Sequence, residues 1–122
     1  MTSRSRKRNK YGAKQVIVDG RTFHSDGEAN RYLQLKLLQR AGEITDLECQ
    51  PKFHITCGGN PVLIKSKGYP NGRKATYSAD FRYVDTRRGL VVEDFKGFDT
   101  YESRLKRALI EAEYGLKVEI VK

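Results

Sequence analysis

The stretch "YSADFRYVDTRRGLVVEDFK", residues 77–96, consists of two β-rich segments on either side of a short turn. The first segment alternates apolar and polar residues, and the second begins with three aliphatic residues. The linking sequence "DTRRG" has five residues and ends in glycine, which is typical of a β-hairpin loop. The stretch therefore predicts two antiparallel strands that pair with each other.

The alternation of side chains along these strands predicts which charged residues meet. Asp94 and Lys96 share one face of their strand, and Glu93 points to the other face. In the preceding strand, Asp80 lies on the face opposite Phe81. Pairing through the short loop brings Asp80 near Asp94, although a slip of one residue would reverse this arrangement.

A cluster of two acids and a lysine has a specific chemical use. Neighbouring carboxylates repel each other unless a cation or a shared proton lies between them. Mg²⁺ takes a small number of carboxylate ligands and keeps several waters. A lysine beside the metal can orient or deprotonate an attacking water, or stabilise charge on phosphorus. The cluster therefore fits metal-assisted phosphodiester hydrolysis. The alternative is a solvated Asp80 on a wet sheet face and a surface ion pair between Asp94 and Lys96.

The charge of the chain favours a polyanionic partner, most often nucleic acid. The net charge is +9 over 122 residues, a length that fits one domain. The first fourteen residues contain no acid and six basic residues, which are Arg4, Arg6, Lys7, Arg8, Lys10 and Lys14. We therefore predict a flexible basic arm over residues 1–14 and a single domain over residues 15–122. The arm is too polar for a secretory signal, and no apolar run is long enough to span a membrane.

The N-terminal half predicts a hairpin and a helix. Val16 to Val18 and Arg21 to Phe23 flank the turn sequence Asp19-Gly20. A helix is predicted from about 26 to 41, with Ser25 as N-cap and Glu28 in the capping-box position. The apolar residues at helical spacing predict its inner face, which would contain Ala29, Tyr32, Leu33, Leu35, Leu37 and Leu38.

The remaining segments complete the predicted order of elements. Residues 44–55 predict a strand that is broken or bulged near Pro51, and residues 58–75 predict a long loop. The sequence "TYESRLKRALIEAEYG" predicts a second helix that ends at Gly115, followed by a final strand. Its predicted inner face contains Leu105, Ala108, Leu109 and Ala112. The two cysteines, Cys49 and Cys57, form no disulfide framework and match no common zinc spacing.

After the hairpin, the order is helix, three strands, helix and strand, which predicts an α+β (α/β layered) fold with a mixed central sheet flanked by helices. Asp80, thirteen further residues and then Asp94-Phe95-Lys96 resemble the PD-(D/E)XK nuclease signature, with Ala79 in the place of its proline. The order of elements resembles the core of that superfamily. The stretches "NKYGAK", "VDGRTFHSDGEANRYLQLKLLQRAGEITDLECQPKF", "YSADFRY" and "VVEDFKG" are similar to a family of small phage-encoded nucleases, a domain family of unknown function related to Holliday junction resolvases.

This resemblance implies roles for individual residues. Asp80, Asp94 and Glu28 would bind Mg²⁺, for which Mn²⁺ can substitute, and Lys96 would serve the attacking water. These four residues would form the catalytic site. Glu28 has a second explanation as a helix cap, because the capping box accounts for it fully. Gln50 matches a polar residue with a supporting role, and Glu93 is a structural or supporting acid.

The implied activity is a Mg²⁺-dependent DNA endonuclease of phage recombination or replication, acting on branched or structured DNA in the host cytoplasm. Such an enzyme would work as a homodimer and would not associate with a membrane. The residues expected to contact DNA are Arg4, Arg6, Lys7, Arg8, Lys10, Lys65, Lys67, Arg73, Lys74 and Lys106. Two other functions fit the same basic chain. One is a catalytically silent DNA-binding or recombination-accessory protein, and the other is a basic RNA-binding protein.

Overall fold

The computed structural model describes residues 15–121, which form two helices and twelve strands. The helices are α1 (Asp26–Arg40) and α2 (Tyr101–Tyr114). The strands are β1 (Val16–Val18), β2 (Arg21–Phe23), β3 (Ile44–Cys49), β4 (Lys52–His54), β5 (Thr56–Cys57), β6 (Asn60–Pro61), β7 (Leu63–Ser66), β8 (Tyr69–Lys74), β9 (Thr76–Ser78), β10 (Phe81–Asp85), β11 (Gly89–Phe95) and β12 (Val118–Val121).

The main sheet has four strands in the order β12-β11-β10-β3. β10 pairs antiparallel with both β3 and β11, whereas β12 runs parallel to β11, so the sheet is mixed. α1, β3, β10, β11, α2 and β12 follow the predicted order of helix, three strands, helix and strand. Six short strands, β4 to β9, are inserted between β3 and β10.

The two helices cover opposite faces of this sheet, which confirms the predicted α+β layering. One apolar cluster joins α1 to the sheet and contains Phe23, Ala29, Tyr32, Leu35, Ile44, Phe81, Tyr83 and Val91. The second joins α2 and the short strands to the other face and contains Phe53, Ile55, Ala75, Tyr77, Ala79, Val92, Ile110 and Val118. Val91 and Val92 are neighbours in β11 but belong to different clusters, as strand alternation requires.

Two local predictions are confirmed in detail. β1 and β2 pair around Asp19 and Gly20, whose φ values of 53° and 75° suit a tight hairpin turn. The predicted break near Pro51 lies between β3 and β4, where Gln50 has a φ of 54°. The break sends the two strands to different partners, because β3 pairs with β10 and β4 pairs with β9.

The prediction of a long loop over residues 58–75 is wrong. The segment contains β6, β7 and β8, and it forms one small hairpin with β5 and a longer one from β7 and β8. Gly58 and Gly59 adopt positive φ in the turn between β5 and β6. At Gly72, an added Cβ would lie 2.8 Å from Leu63 Cβ, so glycine is required where β7 and β8 approach. The glycines therefore mark turns and a close approach of strands, not an irregular loop.

The predicted inner faces of both helices need correction. In α1, Ala29, Tyr32 and Leu35 are buried as predicted. Three predicted core leucines are exposed, and these are Leu33, Leu37 and Leu38. In α2, all four predicted core residues are exposed, and these are Leu105, Ala108, Leu109 and Ala112. Ile110 is the buried residue of α2. The side of α2 that faces the sheet also carries partly buried polar residues, so apolar periodicity did not indicate it.

The predicted basic arm over residues 1–14 lies outside the described residues. It contains Arg4, Arg6, Lys7, Arg8, Lys10 and Lys14. Within residues 15–121, neither helix is long and apolar enough to cross a membrane.

Candidate active site

The C-terminal end of β11 brings Asp80 and Asp94 together. Phe81 is paired with Glu93, and the backbone N–H of Asp80 donates to the carbonyl of Glu93 over 3.0 Å. The next pair along this antiparallel register is Asp80 with Asp94. The predicted proximity of these two acids is confirmed, and their side chains interact with each other.

Asp80 lies in the interruption between β9 and β10, and not within a strand as predicted. Its carbonyl accepts from Gln50 N over 2.8 Å, and its Oδ2 accepts from Phe95 N over 2.6 Å. Its carboxylate also interacts with Glu28, which belongs to α1 on the other side of the sheet. The interruption therefore allows Asp80 to contact one acid of the sheet, Asp94, and one acid of α1, Glu28.

Glu28 both caps α1 and reaches the acids. Its N–H donates to Ser25 Oγ over 3.1 Å, as in a capping box. Its Oε1 accepts from the N–H of His24, not of Ser25, over 3.1 Å. Its Oε2 is buried and accepts no hydrogen bond within residues 15–121, although the Glu28 carboxylate interacts with that of Asp80. The cap explains one carboxylate oxygen of Glu28 and leaves the other for the acid cluster.

Lys96 completes the group. Its Nζ lies 3.5 Å from Asp94 Oδ2, and its side chain is one quarter exposed. The lysine therefore approaches Asp94 from the solvent side. Glu28, Asp80, Asp94 and Lys96 are called the carboxylate site below.

Burial and mutual repulsion raise the pKa of the two aspartates. Desolvation raises the pKa of Asp80 to about 6, and the Glu28 charge adds to this, while the Phe95 N–H opposes it. Desolvation also raises the pKa of Asp94 to about 6. The hydrogen bond from Tyr77 and the charge of Lys96 lower the pKa of Asp94, and the charge of Asp80 raises it. The site holds negative charge at neutral pH at a cost in stability.

Glu93 has a separate environment on the other face of β11, as predicted. It is 1% exposed and packs beneath α1. Its Oε1 accepts from Arg31 Nε over 2.8 Å, and its Oε2 accepts from Arg31 Nη2 over 2.6 Å and from the hydroxyl of Tyr83. Burial alone would raise the pKa of Glu93, but the hydrogen bonds from Arg31 and Tyr83 lower it overall. Arg31, Tyr83 and Glu93 are called the buried charge network below.

Sequence reasoning missed Tyr77 and Arg107. The buried hydroxyl of Tyr77 donates to Asp94 Oδ2, so it restrains the rotation of that carboxylate. Arg107 of α2 also interacts with Tyr77 and forms a two-point ion pair with Asp99. No local pattern could have indicated these contacts, because β9, β11 and α2 meet only in the folded chain. Gln50 is exposed, and its described contact with the site is through its backbone N–H.

Basic side chains line two adjacent cavities beside the site. One cavity, of about 260 Å³, is lined by Lys96, Lys106 and Tyr77, among others. The other, of about 370 Å³, shares Lys106 and Thr76 with it and is also lined by Lys52, Arg73 and Lys74. Lys65 is in β7, and Lys67 is in the turn that follows it. Four of the predicted DNA contacts, Lys65, Lys67, Arg73 and Lys74, therefore belong to the β7–β8 hairpin or its turn, and Lys106 lies between that hairpin and Lys96.

The donor set suits a hard cation with few protein ligands. Among residues 15–121, no group of three or more His, Cys, Asp and Glu side chains is arranged so that it could enclose and hold a metal ion. Mg²⁺ does not require such a cage, because it takes one or two carboxylates together with water and phosphate oxygens. The buried Oε2 of Glu28 accepts no hydrogen bond within residues 15–121, and the Glu28 carboxylate interacts with that of Asp80. A proton or a cation between the two carboxylates would relieve their repulsion.

Comparisons with known proteins give a family without a known activity. A family model described as a protein of unknown function, DUF1064, matches residues 8–122. The chain belongs to the DUF1064 family. No curated protein and no solved structure matches the chain. The region shared with DUF1064 includes every residue of the carboxylate site and of the buried charge network.

Proposed function

We propose that this DUF1064 protein is a metal-dependent DNA endonuclease that hydrolyses phosphodiester bonds. One observation carries the proposal. Asp80 and Asp94 come together at the end of β11, with the Glu28 carboxylate beside Asp80 and Lys96 Nζ 3.5 Å from Asp94 Oδ2. The capping of α1 accounts for one oxygen of Glu28 but accounts for neither Asp80 nor Asp94, and burial together with mutual repulsion raises the pKa of both aspartates.

The fold supports this proposal at the level of architecture. The order α1, β3, β10, β11, α2 and β12, with acids at the ends of the second and third strands of the order, resembles the PD-(D/E)XK core. In this view, Asp80 corresponds to the first acid of the signature, and Asp94 and Lys96 correspond to its second acid and its lysine.

Each residue of the carboxylate site has a proposed task. Asp80, Asp94 and Glu28 would hold Mg²⁺ or Mn²⁺, which when bound would polarise a phosphate oxygen and lower the pKa of water. The partly exposed Lys96 can hydrogen-bond an attacking water or neutralise charge at the phosphate. Tyr77 holds Asp94 in place through its hydroxyl. Gln50 supports Asp80 through the backbone.

The basic surface beside the site supports a nucleic-acid substrate. From residue 49 to residue 79 the chain contains no acid, and its basic residues in this range are Lys52, Lys65, Lys67, Arg73 and Lys74. Lys52, Arg73 and Lys74 line one of the two cavities, and Lys106 joins that cavity to the one lined by Lys96. These groups would bind phosphates, with an affinity that falls as salt increases. We further propose that the substrate is branched or structured DNA and that two copies of the chain act on it together.

Cleavage of a panel of four-way, flap, nicked and linear DNAs with Mg²⁺ tests the proposal. Asp94→Asn and Lys96→Ala should each lower the rate by at least about 100-fold without loss of folding. Glu113→Gln and Lys117→Ala are matched controls on exposed positions and should leave the rate unchanged. The preferred member of the panel identifies the DNA structure, and light scattering of the complex gives the number of copies.

The same experiment separates the proposed nuclease from the two other functions. DNA binding without cleavage in Mg²⁺ or Mn²⁺ would favour a silent DNA-binding protein and would refute the nuclease. Equal affinity for structured RNA, with no preference among the DNA forms, would favour the RNA-binding protein. Cleavage that survives Asp94→Asn would remove the carboxylate site from the mechanism.

A further inference from the structure

We propose that Arg31 and Glu93 are positioning residues, which hold α1 on β11 so that Glu28 stays against Asp80. This inference rests on the proposed function, because it concerns how well the carboxylate site binds a divalent metal. Neither residue belongs to the carboxylate site. Both act from the opposite face of β11.

The buried charge network restrains how α1 sits on β11. Both oxygens of Glu93 are engaged by the Arg31 guanidinium, over 2.8 Å and 2.6 Å, and Tyr83 adds a further hydrogen bond. A two-point contact of this kind restrains both distance and orientation. An apolar contact of the same size would hold α1 near the sheet but would restrain its rotation and sliding less.

The contact between Arg31 and Glu93 lies close to the carboxylate site along both α1 and β11. Glu93 directly precedes Asp94 in β11, and Arg31 follows Glu28 by three residues in α1. Three residues of helix span about 4.5 Å, so the network holds α1 less than one turn from Glu28. Any sliding of α1 that separates Glu28 from Asp80 must therefore also break the Arg31 contacts.

A second contact, between Gly27 and Phe95, lies on the same face of α1. A Cβ added to Gly27 would lie 2.5 Å from Phe95 Cζ, so the backbone of the first helical turn rests directly on that ring. Gly27 and Arg31 are four residues apart and lie on one side of the helix. They contact the residues on either side of Asp94 in β11, namely Phe95 and Glu93. α1 is therefore fixed at two points that flank Glu28 in the chain.

The position of Glu28 beside Asp80 needs support from the rest of α1. The carboxylates of Glu28 and Asp80 lie side by side and repel each other when both are charged, so their proximity needs a restraint. A buried ion pair is weak evidence of stabilisation, because apolar replacements of similar volume are often as stable. A restrained helix position is the property that the ion pair supplies and an apolar replacement would not.

The test replaces the network by apolar residues and measures metal binding. In the variant Arg31→Met, Tyr83→Phe, Glu93→Leu, no charge is left unpaired, so we expect folding with a melting temperature near that of the wild type. Mn²⁺ affinity, measured by isothermal titration calorimetry, should fall by about 10- to 100-fold, as it does when groups supporting metal ligands are lost. The milder Glu93→Gln keeps the side-chain shape and should give a smaller loss if the triple variant fails to fold.

Two controls make the result specific. Glu113→Gln with Lys117→Ala removes one exposed acid and one exposed base and should leave Mn²⁺ affinity unchanged. Glu28→Gln should weaken Mn²⁺ binding in the wild type but have little further effect in the triple variant, since the network acts through Glu28.

The outcomes are distinguishable. If the folded triple variant binds Mn²⁺ as the wild type does, the positioning role is overturned and the proposed function stands. Additive losses for Glu28→Gln and the triple variant would likewise overturn it, because the two would then act independently. If the wild type itself binds no Mn²⁺, both this inference and the metal-dependent nuclease fail.

Discussion

Glu93 and Asp94 are adjacent acids on one strand, yet their surroundings shift their pKa values in opposite directions. Both are buried, at 1% and 3% exposure. Glu93 receives two-point contact from Arg31 and a hydroxyl from Tyr83, and its pKa is lowered. Asp94 has a hydroxyl from Tyr77 and a lysine at 3.5 Å, with a second acid beside it, and its pKa is raised to about 6.

The difference shows what a buried charge costs when its partners are incomplete. On the α1 face, the Arg31 guanidinium and the Tyr83 hydroxyl compensate the charge of Glu93, and the Arg31–Glu93 contact links α1 to β11. On the other face, the charge remains under-compensated, which is a common property of sites that bind a further cation. The two acids therefore should respond oppositely to neutralisation and to pH.

The largest expected effect is that of Glu93→Ala. It removes the carboxylate that Arg31 and Tyr83 share and leaves the Arg31 guanidinium with the side-chain oxygen of Gln34, so the free energy of unfolding should fall by about 3 kcal/mol. Urea denaturation measures the change. Glu119→Ala removes an exposed partner of Arg88 and should cost no more than about 1 kcal/mol. A loss for Glu93→Ala as small as that of the control would remove the contrast between the two faces of β11.

The second largest effect is on the pH dependence of stability, to which the acids on the two faces of β11 should contribute with opposite sign. The aspartates have folded pKa values of about 6, against an unfolded value near 3.9, so the folded state takes up protons that the unfolded state does not. The free energy of unfolding should therefore rise as pH falls from 7 to about 5, by on the order of 2 kcal/mol. Glu93, with its lowered pKa, contributes stability above about pH 4.3 that is lost as pH falls further.

Denaturation at a series of pH values in the absence of divalent metal measures this profile. The variant Asp80→Asn, Asp94→Asn should lose the rise between pH 7 and pH 5 and keep the loss at lower pH. A wild-type profile that falls continuously from pH 7 would contradict the raised pKa of both aspartates.

Asp94→Asn alone should stabilise the protein at pH 7, in contrast to Glu93→Ala. It removes a buried charge beside Asp80 while the Tyr77 hydroxyl keeps an oxygen acceptor. We expect a gain of about 1–2 kcal/mol, which corresponds to part of the pKa shift. Thermal denaturation of Asp94→Asn and of Glu113→Gln, which should be neutral, checks the sign. Destabilisation at pH 7 would mean that Asp94 serves the fold as Glu93 does.

The smallest expected effect is that of Tyr77→Phe. The lost hydrogen bond to Asp94 should cost about 1 kcal/mol of stability and raise the pKa of Asp94 further, because that bond favours the charged form. An NMR titration of the Asp94 carboxyl carbon measures the pKa. Tyr114→Phe removes an exposed tyrosine bond to the His54 carbonyl and should leave that pKa unchanged.

Much of the fold follows from local patterns in the chain. Asp19-Gly20 predicts its hairpin because both residues tolerate positive φ, and Ser25 with Glu28 predicts the start of α1. Period-two alternation in 77–96 separates Glu93 from Asp94, and the short loop brings Asp80 beside Asp94. These features depend on neighbours a few residues apart, so the residue types alone carry the information.

Only the tertiary structure decides the rest, since it depends on residues that are distant in sequence. It moves Asp80 from a strand into the interruption between β9 and β10, where the acid contacts Glu28 as well as Asp94. It turns the polar side of α2 towards the sheet and leaves Leu105 and Leu109 exposed. It pairs Arg31 with Glu93 across 62 residues of chain and Tyr77 with Asp94 across 17. The sequence by itself determined which acids could meet. The packing of α1 and α2 on opposite faces of one sheet decided which of them were neutralised, because only packing sets how much positive charge reaches a buried carboxylate.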